Sequence, residues 1–183
     1  MRPFPKSTQP GTGSSALQRD IDTAIDYTPI DRSLDTPAKR YALREMVKQD
    51  CAHFDETVEK AFFKTGHRTR HLRAVITLAN ATRQPLFAVI ASKASSSSTT
   101  LQVHVLQGNL KLSRAQKARM IWSCLFAVRV FGTLSNATRV RVPSIGQNNR
   151  EFFEGLGFRI ELKRRLLHAV SELAGAPAPS TKH

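Results

Sequence analysis

His104 is the residue of this chain best suited to moving a proton. It lies in a run where Leu101, Val103 and Val105 alternate with Gln102, His104 and Leu106, the period of a strand presenting two faces. His104 is expected opposite Leu101, Val103 and Val105. An imidazole titrates near neutral pH and can serve as a base; the alternative is an ordinary polar-face histidine. A second group is cationic. Lys111, Arg114, Lys117 and Arg119 surround Ser113-x-x-Gln116, the pattern of a capping box that opens a helix. Cations there can hold phosphate groups, or form the solvated face of an amphipathic helix. Cys51 and Cys124 have no metal-ligand spacing to His or Cys, and buried thiols in a reducing cytosol are expected rather than a disulfide or a nucleophile. His67 and His71 are four apart, but Gly66 and a turn interrupt them, so no metal pair is expected.

The formal net charge is +14, which attracts polyanions of any kind: nucleic acid, an anionic membrane surface or a phosphorylated ligand. Basic residues concentrate at 64–73, with Lys64, His67, Arg68, Arg70, His71 and Arg73, and at Lys163-Arg164-Arg165. Aromatic content of 7% is mostly Phe on apolar stripes, so stacking on bases has little support and sequence-specific readout is not expected. There is no phosphate-binding Walker loop, dinucleotide glycine fingerprint, zinc spacing or nucleophile elbow. No stretch reaches 18 uninterrupted apolar residues, so no transmembrane helix is expected. The start of the chain lacks an apolar signal core, and a cytoplasmic location follows as the expectation.

These groups need a framework. Segments 1–20 and 175–183 read as disordered tails around one domain at 21–174, rich in Pro, Ser and Thr at the start and Pro-containing at the end. Residues 24–27 could form a first strand. Thr36-Pro37 marks a helix start, with Leu43, Met46, Val47, Phe54, Val58, Ala61 and Phe62 as one apolar stripe ended by Gly66; a break near His53 stays open. Strands are expected at 72–78, 86–91 and 101–105, with a turn at 80–85 and a Ser-rich loop at 93–99. The capped helix buries Ala118, Ile121, Trp122, Leu125 and Val128 and ends at Gly132. A strand at 139–142, a turn with Pro143 and Gly146, a short helix and an extended run from Phe158 follow. Leu162, Leu166, Ala169, Val170 and Leu173 have helical spacing, giving a terminal helix, or a strand to about Lys163 and then a helix.

The stretch from Val142 to Phe158, with Val142, Phe152, Glu154, Leu156, Gly157 and Phe158 in register, resembles the strand–helix–strand end of the GCN5-related N-acetyltransferase superfamily. The order of elements agrees with that resemblance. It implies a single α/β domain, with a mixed, mainly antiparallel central sheet and helices on both faces. It also implies an acyltransferase that moves an acetyl group from acetyl-CoA to an amine. The donor would lie over Val103, Val105 and the helix start with Ser113, Arg114, Lys117 and Arg119, with His104 as base and Asn149 near the cofactor end. Asn148, Asn149 and Ser144 can equally be cap and turn residues, with Asn148-x-x-Glu151 as a second box. The sequence departs from the family where Gly146 replaces Asn, where Phe153 replaces the Tyr that commonly acts as acid, and where Ala115, Lys117 and Arg119 replace the phosphate-loop glycines. The alternative is a basic relative of that fold that has lost catalysis and binds nucleic acid or protein.

Overall fold

Three of the strands form where the apolar pattern puts them, two from alternation and one from a continuous run: β2 at His71–Leu78, β4 at Thr100–Gly108 and, between them, β3 at Pro85–Lys93. They pair antiparallel as neighbours, with Leu72 opposite Ala91 and Ile90 opposite Val105. The computed structural model describes residues 41–68, 70–78, 84–109 and 112–173. Both tails, the 24–27 strand, the Thr36-Pro37 helix start, Lys111 and most of the 80–85 turn lie outside the described residues.

The remaining elements complete one α/β domain. Strand β1 (Tyr41–Glu45) pairs with β2, and a 3-10 turn (Lys48–His53) leads to helix α1 (Glu56–Gly66). Helix α2 (Arg114–Leu134) crosses from β4 to β5 (Arg139–Ile145). Helix α3 (Arg150–Gly155) precedes β6 (Arg159–Lys163) and β7 (Leu166–Glu172). The seven strands run in the order β1-β2-β3-β4-β5-β7-β6. Every pair is antiparallel except β4–β5, whose parallel pairing needs the α2 crossover. One core lies between the sheet and α2, built on Leu101, Val103, Val128, Phe131 and Val140. A second lies under α1, built on Met46, Val58, Phe62, Ile90 and Val105. Strand β3 serves both, which is why 86–91 is continuously apolar.

Two expectations are corrected. The helical stripe does not extend through 41–45: Leu43 is on β1 and packs with the α2 core, while Met46 packs under α1. Tyr-Ala-Leu-Arg-Glu favours helix locally, and pairing along the edge of β2 overrides that preference. The terminal helix is likewise a hairpin. Strand β7 inserts between β5 and β6 and buries residues on both faces, from His168 to Ser171. A strand filled on both sides loses its period of two, so its leucines fell into helical spacing by coincidence.

Helix α2 runs past the expected stop to Leu134. Gly132 serves close packing instead, because a Cβ there would sit 2.7 Å from Leu173 Cδ1. Trp122 is not buried; it is 37% exposed and stacks on Phe126 at 5.9 Å. Helix α3 ends where Gly157, at φ +77°, lets the Phe158 N–H reach the Phe153 carbonyl at 3.0 Å, a Schellman stop.

Candidate functional site

Strands β4 and β5 pair only through Thr100, Leu101 and Gln102 against Arg139, Val140 and Arg141. Beyond those residues they continue to Gly108 and Ile145 without pairing to each other. Each bordering strand carries an irregularity at the parting. In β4, Ile90 faces Val105 while Ala91 faces Val103, so His104 is the extra residue of a bulge. In β5 the register slips between Val142 and Ile145, across Pro143, which has no N–H to give a ladder, and Ser144, at φ 55°. Pro143 is therefore inside the strand, and not in a turn after it. Because β4 and β5 are parallel, their carboxyl ends open at the same edge of the sheet. The α2 start and the Gly146–Asn149 connection both follow from that edge. This is where open α/β sheets receive ligands.

The bulge moves two side chains. Val103 stays in the α2 core, but Val105 joins the α1 cluster with His104's side of the strand. The expectation that Leu101, Val103 and Val105 share a face opposite His104 is thus wrong for Val105, since a strand inverts its alternation across one inserted residue. His104 is half-buried, and its Nε2 lies 2.8 Å from the Oγ of buried Ser92. Its pKa is held below the ordinary histidine value, first by burial and then by the nearby charges of Lys64 and Arg68. The shift favours the neutral ring, the state a base requires.

At the α2 start the capping box forms as expected. Ser113 Oγ accepts from the Gln116 N–H at 3.2 Å, and Gln116 Oε1 accepts from the Ser113 N–H at 2.9 Å. The Lys117 N–H bonds the Ser113 carbonyl. Among the first-turn donors this leaves the Arg114 and Ala115 N–H groups. Arg114 and Arg119 are exposed and Lys117 partly so, beside a helix end with no acidic residue. These residues fit phosphate by charge and by two backbone donors. Gly108 lets the strand end pack closely, because a Cβ there would meet Phe87, Leu112 and Lys117 at 3.1 to 3.3 Å. Asn149 is exposed at the β5–α3 connection and makes no side-chain cap bond, so the Asn148–Glu151 box does not cap α3. Phe153 is buried against the Phe152 and Phe158 rings, and its position supplies no acid.

The basic cluster at 64–73 divides. The Arg73 guanidinium lies 4.3 Å from the Phe62 ring centre, half-buried, and burial lowers its pKa. Arg68 donates to the Ala94 carbonyl and Arg70 is exposed. Lys163, Arg164 and Arg165 do not follow a final strand; Lys163 ends β6, and Arg164 and Arg165 form the turn to β7. Sequence reasoning missed three residues on His104's face of the sheet. Ser92 was placed at the end of a strand closed at residue 91, and nothing in its type singles it out. Arg141 and His168 approach within 3.2 Å on β5 and β7, but their pairing depends on a strand read as helix. Among the described residues no cluster of His, Cys, Asp or Glu could hold a metal ion, and no helix is long and apolar enough to cross a membrane.

Neither a protein-family model nor a curated protein matches the sequence. Solved structures do match. A putative acetyltransferase of the GNAT family from Desulfovibrio desulfuricans aligns over 74% of this chain and 100% of its own, with TM-score 0.53 and 14% identity. The PaiA N-acetyltransferase of Thermoplasma acidophilum, solved with coenzyme A, aligns over 73% of this chain and 99% of its own, with TM-score 0.56 and 8% identity. This chain has the GCN5-related N-acetyltransferase fold. An aminoglycoside 6'-acetyltransferase type Ii gives TM-score 0.51 at 9% identity, covering 74% of this chain and 99% of that one.

Proposed function

We propose that the protein is an N-acyltransferase that takes an acetyl group from acetyl-CoA to an amine. One observation carries the reading: β4 and β5 part at a bulge occupied by His104, and the helix that follows β4 starts with cations at that edge of the sheet. Acetyl-CoA, when bound, supplies an acetyl group activated as a thioester. The free edges of β4 and β5 offer backbone donors and acceptors to its amides. Arg114, Lys117 and Arg119, with the Arg114 and Ala115 N–H groups, hold its phosphates. Val103 and Val105 border the acyl end as part of the β4 backbone, both side chains being buried. Asn149 stands at the other rim.

His104 acts as the base. In the tautomer whose Nε2–H donates to Ser92 Oγ, the Nδ1 lone pair is left to take the proton of the amine. Lys64 and Arg68 favour the neutral form of both imidazole and amine, so the proton leaves a group already disposed to release it. With Phe153 in place of a hydroxyl, protonation of the departing thiolate falls to His104 or to solvent. The acceptor is an amine whose identity is open to a panel assay. A cytoplasmic setting fits the free buried thiols Cys51 and Cys124.

Thiol release from acetyl-CoA, measured across a panel of primary amines, tests this. His104→Ala should lower kcat/KM by about 100-fold or more while leaving donor affinity unchanged. Equal rates in the variant and wild type would remove His104 from the mechanism. The second reading is a non-catalytic basic module that binds nucleic acid or another polyanion. The absence of a hydroxyl at Phe153 and the self-capped α2 start favour it, and an absence of thiol release with every amine would select it.

A further inference from the structure

The β6–β7 hairpin carries features that the fold does not require. Lys163 and Leu166 close its ladder, so Arg164 and Arg165 form a two-residue turn. Both have left-handed backbone, at φ 51° and 65°. Such turns favour Asn-Gly, since a side chain crowds the backbone in that conformation. Here two arginines occupy it. Lys163, Arg164 and Arg165 are all exposed, and among the described residues none of them is in an ion pair, whereas Arg159 on the same hairpin pairs with Glu161 at 2.6 Å. Leu162 and Leu166 flank the turn at 73% and 50% exposure. They point to opposite faces, Leu162 with Leu167 and Leu166 with Lys163.

We propose that this hairpin tip docks on an anionic phospholipid surface. A tip that enters a headgroup layer end-on is surrounded on both faces, which is where the two leucines stand. The long stems of Lys163, Arg164 and Arg165 let their charges stay at phosphate depth while the leucines reach the acyl boundary. The net charge of +14 supplies the long-range attraction. A nucleic-acid backbone would use the three cations and leave both leucines in water, and so the lipid surface accounts for more of the tip.

The test uses the full chain and sedimentation with phosphatidylcholine vesicles, with and without phosphatidylserine. Wild type should partition only onto the phosphatidylserine vesicles. R164N/R165G keeps the turn in its preferred residue types, so it should melt no lower than wild type, and its partitioning should fall about 30-fold. L162S/L166S should weaken partitioning even where salt has already screened the charges. Unchanged partitioning of R164N/R165G would overturn the proposal. So would wild-type binding to duplex DNA but not to vesicles, with the loss in R164N/R165G appearing on the DNA.

Discussion

Strand β3 is buried along both faces between α2 and α1, whereas β6, at the far edge of the same sheet, leaves most of its residues exposed or half-exposed. The halves they belong to, β1–β4 and β5–β7, meet through three register pairs and the α2 crossover. The first half is held by two cores and continuous antiparallel ladders; the second has apolar packing mainly on the α2 side and places cations and a histidine on the other. That difference explains how one sheet can be both firm and open. The firm half fixes His104 at a defined bulge. The arm parts from it where Pro143 has no N–H to give a ladder, and β5 stays paired with β7 along its other edge.

The comparison can be broken first at the seam. Leu101 is fully buried opposite Val140, and Leu101→Ala should cost about 3 kcal/mol of stability in a urea titration. Leu162→Ala in the arm should change stability by less than about 0.5 kcal/mol. Equal losses would mean that the halves are not differently built. Next in size is the arm's turn, where Arg164→Asn with Arg165→Gly should raise stability by about 1 to 2 kcal/mol, visible as a higher Tm. Unaltered melting would show that the left-handed arginines are unstrained. Removing the cap on the crossover by Ser113→Ala should cost about 1 kcal/mol.

The smallest effect is with pH. His71 and His104 belong to the firm half, and burial lowers both pKa values below 6.5. The unfolded chain then takes up protons before the fold does. Stability is full above about 6.5 and falls as pH drops through the lowered values. His104→Gln should flatten part of that decline in melts taken across this window, and an unchanged slope would contradict the burial of the ring.

How much of this was legible in the sequence follows the same division. In the firm half, alternation at 72–78 and 101–105 and the Ser113–Gln116 box announced two strands and a helix start, although the bulge at His104 turns Val105 away from the face that the alternation gives it. Strand β7 did not, since burial on both faces erases the period that would reveal it. The β1 segment misled because its residues favour helix and only pairing with β2 makes them a strand. The site was half-legible. His104 and the cations stand out by type, while Ser92 and the bulge that aims His104 depend on a register that no residue type encodes.

The most direct test of the central account is a calorimetric titration of the full chain with acetyl-CoA, set beside the variant in which Arg114, Lys117 and Arg119 are all serine. The account expects saturable one-to-one binding by the wild type. Three phosphate contacts at a partly exposed helix start should make the variant at least about tenfold weaker. Dephospho-CoA should fall between them. An absence of binding at high micromolar acetyl-CoA, or equal affinity in wild type and variant, would contradict the assignment of the β4–β5 opening as the donor site.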